Sequence, residues 1–530
     1  MVVVEYKLEN IKKNTGLTKE KIVDGLTEIG APTTESNGVL TVELTPNRPD
    51  WFSPEGIARS LCAYYGKEFR KPDEYKTRKG NYATTVDKSV SDARPYTVNM
   101  VVKGLKLNDG AVEDLVQLQD KLMVTLGRNN KKFGMGYFDL DKIKFPIRYT
   151  TMKPQDIVYT PLNYGREANA IEILEKHPKG KEFGHLINKF ERYPVFVDAG
   201  NNIMVLIPIV NSEKAGKLDS ATKNVFVEVT GNDLNMIKIA LNIIACMFID
   251  KGGEVYQVEM NYSDKKFLTP DLTARKVKLD KKQISKLLGM EFSDSQLKKL
   301  LQKMSYELKA GYVYVPPYRA DIIHFVDIIE DIAIAYGYNN FETTIPNFFS
   351  PGILKKDIYD DAAIVMHGMG FLETKSFILT NKKGLDSVNY EEKNYIEIMN
   401  PATEDYTLVK PTMLISMLEA IAVNKTRGLP QKMYEIGLVN YNGQTKKQLI
   451  FAIIDKKLEF ADVRGYLQTL INELDLKVEL KKEGYKSLVD KSSCSIYVNG
   501  KKAGYFGEIS TSVKSNFKLE FPAFVCVLEF

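Results

Sequence analysis

The chain has 530 residues, 44% of them hydrophobic and 27% charged, with a formal net charge of +5. That length allows three to five domains, and the composition is that of an ordinary soluble globular protein, which excludes a disordered, collagen-like or multi-spanning membrane chain. So small a charge does not demand a polyanionic partner, although clustered basic residues would permit one.

Residues 1–8 lack the length and cleavage pattern of a signal peptide. A first α/β domain is expected over 1–88. In it Thr18 caps a helix whose Ile22, Leu26 and Ile29 share a face, and Gly30 ends that helix. Leu40, Val42 and Leu44 then alternate with polar residues as a strand does. The loop Pro46-Asn47-Arg48-Pro49-Asp50-Trp51 follows, stiffened by two prolines. It offers either a contact for a partner or RNA, or a well-capped connection. Ser53-Pro54 opens the next helix. The polar, basic stretch 67–92 reads as a linker.

A second domain, mixing strands and helices, is expected over 93–262. Strands are predicted at 194–197, 203–210 and 224–230, the last one cleanly alternating. On it Glu228 and Thr230 share a face. The apolar run 234–249 is broken by Asn235, Lys238 and Asn242. It is too short and too polar to cross a bilayer and reads as a core helix capped by Asp233. A third domain, 268–345, carries the capping box Ser293-Asp294-Ser295-Gln296. The last, 350–530, alternates helices with strands at 432–439, 449–454 and 523–530. Cys62, Cys246, Cys494 and Cys526 are far apart. They suggest buried free thiols in a reducing, cytoplasmic compartment, and not zinc ligands.

The densest signal lies in Pro317-Tyr318-Arg319-Ala320-Asp321 and the apolar helix after it. Helical periodicity starts near Ile322. Asp327, Glu330 and Asp331 lie at i, i+3 and i+4 on one narrow face, where like charges repel by roughly 0.2–0.5 kcal/mol per pair. A cation or a basic partner would relieve them. Asp321 stands at the expected helix start, where a carboxylate can cap free amides.

Seven motifs then stand in one order. The most specific are Glu43-Leu44-Thr45-Pro46-Asn47-Arg48-Pro49-Asp50 and the acidic stretch through Tyr338. Supporting them are Leu126-Gly127-Arg128-Asn129, His177-Pro178-Lys179-Gly180, Val210-Asn211-Ser212-Glu213, Val229-Thr230-Gly231-Asn232-Asp233 and Tyr434-Glu435-Ile436-Gly437. Over its whole length the chain resembles the beta subunit of phenylalanine–tRNA ligase, in the short archaeal/eukaryotic form. The resemblance implies an α+β multidomain fold, an (αβ)2 heterotetramer with the alpha subunit, and ATP-dependent attachment of phenylalanine to tRNA(Phe). ATP would be used by the complex and not bound by this chain.

It further implies Mg2+ at Asp321, Asp327, Glu330 and Asp331, shared with the alpha subunit. The residues alone allow another reading, with Asp321 a cap and the others paired to basic side chains. His324 is not expected to be a ligand. The second domain would hydrolyse Tyr-tRNA(Phe) through Ser212, Glu228 and Thr230; read alone, these are polar positions on a half-exposed strand. Phe138 departs from the histidine often found in that stretch, so it carries no acid or base role. The last domain resembles a class II synthetase core without its ATP-holding arginines, and Lys410 stands where an arginine is frequent. Basic clusters at 128–132 and 176–181 could meet RNA or merely face solvent. The alternative function is a non-hydrolytic, tRNA-binding scaffold.

Overall fold

The computed structural model describes residues 2–345, 352 and 357–530. The start expected for the last domain, residue 350, lies outside them. The chain forms two compact units, 1–345 and 346–530.

The first unit opens with an antiparallel sheet in the order Val2–Lys7, Val39–Leu44, Thr33–Ser36. Leu40, Val42 and Leu44 are buried, as a period of two requires. Thr18 caps the helix Lys19–Glu28 by accepting from the Lys21 amide, and Ser53 caps Pro54–Tyr64 through the Gly56 amide.

The 67–92 stretch is not a linker. Its residues Ala83–Val86 form an interior strand, parallel to both Ile147–Met152 and Glu254–Asn261. Tyr75, Thr84 and Val90 around it are buried. Four strand residues between polar turns are too few for periodicity to declare itself. The two flanking strands supply the pairing that extends them.

That strand belongs to a ten-stranded sheet. Nine strands run in the order Val210–Asn211, Ile203–Leu206, Tyr193–Val197, Ile147–Met152, Ala83–Val86, Glu254–Asn261, Tyr96–Lys103, Val225–Gly231, Phe133–Asp139, and Lys266–Thr269 pairs with Glu254–Asn261. Val98, Met100, Val225, Val227 and Val229 pack one face into the core shared with the helices Asp109–Val124 and Leu234–Asp250. Val101, Phe138, Tyr149, Phe196 and Phe226 line the other. The sheet curls until its edges meet, and Asn211 Nδ2 donates to the Tyr137 carbonyl at 3.3 Å. The single strand expected over 203–210 is two short ones turning at Pro208. Proline has no N–H to continue the ladder.

A small sheet, Arg275–Lys278, Tyr312–Val315, Glu307–Lys309, completes this unit with three helices. Leu297, Leu301, Val313, Ile328 and Ile332 form its core. Ser293 and Gln296 make the predicted capping box. The second unit is built on a seven-stranded sheet, in which long hairpins such as Gln431–Tyr441 with Gln444–Ile454 are antiparallel and only Leu372–Glu373 pairs in parallel. Among the described residues no helix is long and apolar enough to cross a membrane.

Candidate functional site

The acidic helix runs Phe325–Tyr336, three residues later than its periodicity suggests. The delay has a cause. His324 Nδ1 accepts from the Val326 amide, and Asp327 Oδ2 accepts from the amides of Ile323 and His324, both at 2.7 Å. His324 and Asp327 therefore cap the helix, and Asp321 does not. Asp321 instead receives both ends of a guanidinium fork, Arg319 Nε at 2.8 Å and Nη2 at 2.7 Å. The same Nη2 donates to Asp331 Oδ2 at 2.7 Å, and Tyr306 adds its hydroxyl to that oxygen. Asp331 is buried, not on an exposed stripe, and only Glu330 faces solvent fully.

The proline loop is also turned inward. Arg48 holds both oxygens of Asp50 at 2.9 Å and lies 3.7 Å over the Trp51 ring. Arg59 reaches Asp50 at 3.4 Å, pairs with Asp250, and stacks 3.5 Å over Tyr318. These residues come from the loop, the next helix, the long core helix and the acidic stretch. Arg48 and Asp50 are buried and fasten the parts of this unit together, leaving only Asn47 of the three polar heads exposed. Neither buried residue is open to RNA.

A third constellation sits at the seam where the sheet edges meet. Asn130, Gly134, Asn211, Glu228 and Thr230 line a cavity of about 160 Å³. Val225–Gly231 is not half-exposed; every residue in it is buried. Glu228 Oε2, Thr230 Oγ1 and Asn130 Oδ1 are buried without a hydrogen-bond partner. Each such group left unpaired costs about 1–3 kcal/mol, and all three face this one cavity. Across the ladder Gly136 faces Glu228, and Gly134 faces Thr230. A Cβ on Gly136 would stand 3.0 Å from Glu228 Oε1 and 3.2 Å from Asn211 Oδ1; one on Gly134 would stand 3.1 Å from Pro208. The two bare positions let Glu228, Asn211 and Pro208 close directly onto this strand.

Burial pushes the Glu228 carboxyl up to about 8, against the opposing pull of Arg94. The folded chain then keeps a proton that the unfolded chain releases. Between the ordinary value of 4.5 and about 8, stability therefore falls as pH rises. Melting temperature against pH should be flatter over this range for Glu228→Gln than for the natural chain; parallel curves would refute the shift.

Ser212 lies elsewhere. It caps the short helix Glu213–Gly216 and lines a separate cleft with Lys142, Arg148 and Asp198. Its neighbour Asn211 is the residue that reaches the Glu228 cavity. Sequence reasoning missed Asn211, Asn130 and the glycine pair. The Gly134-Met135-Gly136 alternation was the available signal, because period two puts both glycines on one face. In the second unit Lys410 is buried, donating to Ser376 at 2.7 Å and pairing with Glu435 at 3.5 Å. Burial lowers its pKa, partly offset by Glu435.

A family model described as the phenylalanyl tRNA synthetase beta chain CLM domain matches residues 344–530, and one for the tRNA synthetase B5 domain matches 277–338. The phenylalanine–tRNA ligase beta subunit of Archaeoglobus fulgidus is 35% identical, over 98% of this chain and 97% of that one. The chain belongs to the phenylalanine–tRNA ligase beta-subunit family. The beta subunit of Thermococcus sibiricus is 36% identical over 90% of this chain and 87% of its own. The crystal structure of an N-terminal fragment of the beta subunit from Pyrococcus horikoshii superposes with a TM-score of 0.61 at 36% identity, covering 63% of this chain and 99% of the fragment. This beta subunit is thus a component of a ligase complex.

The Mg2+ that the resemblance implies can be tested on the donor set. Mg2+ demands near-octahedral oxygens and usually keeps several waters. In this beta subunit Arg319 already supplies the positive charge to Asp321 and Asp331, and Asp327 is committed to two amides. Among the described residues no group of three or more His, Cys, Asp or Glu side chains could hold a metal. The four carboxylates do not fit a divalent ion within this chain.

Proposed function

We propose that this beta subunit assembles with an alpha subunit as an (αβ)2 heterotetramer. The alpha subunit uses ATP to join phenylalanine to tRNA(Phe), and the Glu228 cavity hydrolyses Tyr-tRNA(Phe). A phenylalanine pocket cannot strongly reject an isostere with one added hydroxyl; discrimination of about a hundredfold is typical. A second site that binds the hydroxyl removes the error. The carrying observation is the buried Glu228 carboxyl, its Oε2 unpartnered, on a cavity that Asn130, Asn211 and Thr230 also line. The phenol would meet Glu228 and Asn211 there.

Asn130 and Lys179 both line this cavity, so the basic clusters at 128–132 and 176–181 stand where an RNA end would approach. Exposed Ile364, Leu372, Phe377 and Met399 on the second unit offer apolar surface for the alpha subunit to cover. Lys410 and Glu435 satisfy one another in the interior of that unit, in keeping with a core that binds no nucleotide. The cavity is smaller than the roughly 300 Å³ at which ligand pockets begin, which favours the scaffold reading.

Deacylation of pre-formed Tyr-tRNA(Phe) decides between them. The tetramer should release tyrosine faster than buffer does, and equal rates would leave the scaffold. The isolated beta chain should show no phenylalanine-dependent ATP–pyrophosphate exchange; exchange would overturn the division of labour.

A further inference from the structure

We propose that Asn99 is a positioning residue for Glu228: its Oδ1 accepts a hydrogen bond from a protonated Glu228 Oε2, which keeps the carboxyl neutral and leaves Oε1 toward the cavity as an uncharged acceptor. The use of that acceptor for a phenol rests on the proposed reading of the Glu228 cavity; the Asn99 contact does not.

Glu228 faces Gly136 on one neighbouring strand and Asn99 on the other. Thr269 Oγ1 accepts from the Asn99 amide at 3.2 Å and donates to the Asn99 carbonyl at 2.8 Å. The Asn99 backbone is thus turned away from Glu228, and the two form a non-hydrogen-bonded pair. Such pairs bring their Cα atoms to about 4.5 Å and their side chains close together. Both side chains stand on one face of the sheet, and both residues are buried.

The bonds around Asn99 fix which end of its amide is which. Thr97 Oγ1 donates its hydrogen to the Val229 carbonyl at 3.2 Å. Toward Asn99 it can therefore only accept, and Asn99 Nδ2 donates to it at 3.2 Å. That leaves Asn99 Oδ1, which has no donor among the described residues. Glu228 Oε2 is likewise enclosed without a partner. Oε1 is the oxygen on the Gly136 side, where a Cβ would stand 3.0 Å from it and 3.2 Å from Asn211 Oδ1. Oε2 is left for the Asn99 side. Two bare acceptor oxygens repel, whereas a carboxylic acid carries one O–H donor. One proton on Oε2 satisfies both.

The other titratable groups around Glu228 have partners of their own. The Tyr149 hydroxyl donates to the Arg94 carbonyl and the Tyr262 hydroxyl to the Thr97 carbonyl, both at 2.8 Å. Arg94 donates through Nε and Nη2 to the Thr230 and Asn130 carbonyls, and its charge pulls the carboxyl toward ionisation. Asp120 and Lys179 line the cavity itself. Burial favours the neutral acid, and a bond made only by that form favours it further. An uncharged acceptor suits a phenol, whose O–H donates to it, and gives nothing to a phenylalanine ring.

Leucine has nearly the shape of asparagine and no acceptor, so Asn99→Leu is the test. Melting temperature of the full chain against pH reads the Glu228 proton, with Glu228→Gln as the flat reference. The pH-dependent range ends at about 8 in the natural chain. In Asn99→Leu that end should fall by about one pH unit, the equivalent of one hydrogen bond. In the complex, the pH above which Tyr-tRNA(Phe) deacylation is lost should fall with it. An unmoved end of the range overturns the assignment. If Asn99→Leu does not fold, infrared spectra of the natural chain at neutral pH decide. A protonated-carboxyl band at the lowered frequency of a hydrogen-bonded acid, missing from Glu228→Gln, is expected; a band at the free-acid frequency, or none, overturns the assignment. If the natural complex does not deacylate Tyr-tRNA(Phe) at any pH, the editing reading fails, and the melting curves and spectra still uphold or refute the role of Asn99.

Discussion

Arg319→Met is expected to destabilise the first unit by about 3–5 kcal/mol, the cost of removing one partner from a buried ion pair. Arg319 is the donor common to Asp321 and Asp331, and both lie in low-exposure surroundings. Without it Asp331 keeps only the Tyr306 hydroxyl. Methionine fills a similar volume and leaves two carboxylates without a counter-charge. Chemical denaturation of the chain, or the rate of protease cleavage within 268–345, reads the loss. The same experiment addresses the metal. If the guanidinium is the cation of this cluster, EDTA and added Mg2+ should leave the natural chain's transition unmoved. Mg2+ should also fail to rescue Arg319→Met. A transition that shifts upward with Mg2+ in the natural chain would return the carboxylates to a metal.

Glu228→Ala should spare phenylalanine charging and let Tyr-tRNA(Phe) accumulate. The carboxyl is a polar group available to a phenol bound in the cavity. Losing one buried hydrogen-bond partner costs on the order of 1–3 kcal/mol, or about ten- to a hundredfold in deacylation. Gly136→Ala separates the presence of the carboxyl from its placing. Its Cβ would crowd Glu228 Oε1 and Asn211 Oδ1 while leaving both residues present. The two variants should fail alike on Tyr-tRNA(Phe), at rates measured on the pre-formed substrate. A Gly136→Ala complex that deacylates at the natural rate would show that the placing of Glu228 does not matter to the reaction.

Much of this chain was legible before folding. Thr18, Ser53, Asp233 and the Ser293–Gln296 box announce helix starts because capping is settled within one turn. Glu228 and Thr230 could be put on one strand face because a strand's period is two. The family could be read from short motifs, and it carried the architecture that periodicity alone could not. The strand Ala83–Val86 was lost for the opposite reason: its evidence is in its neighbours, 147–152 and 254–261.

The sequence by itself determined the capped helices, the clearly alternating strands and the family the chain belongs to. Those depend on near neighbours along the chain. Only the tertiary structure decided what each polar group does. Glu330 and Asp331 are adjacent, yet one meets water and the other a buried guanidinium. Ser212 and Asn211 are adjacent, yet only Asn211 lines the cavity. Arg94 meets the Thr230 carbonyl across 136 residues, and Arg59 meets Asp250 across 191. Spacing sets the direction in which a side chain leaves its element. Burial and partners are set by what packs against that element, and those groups come from far along the chain.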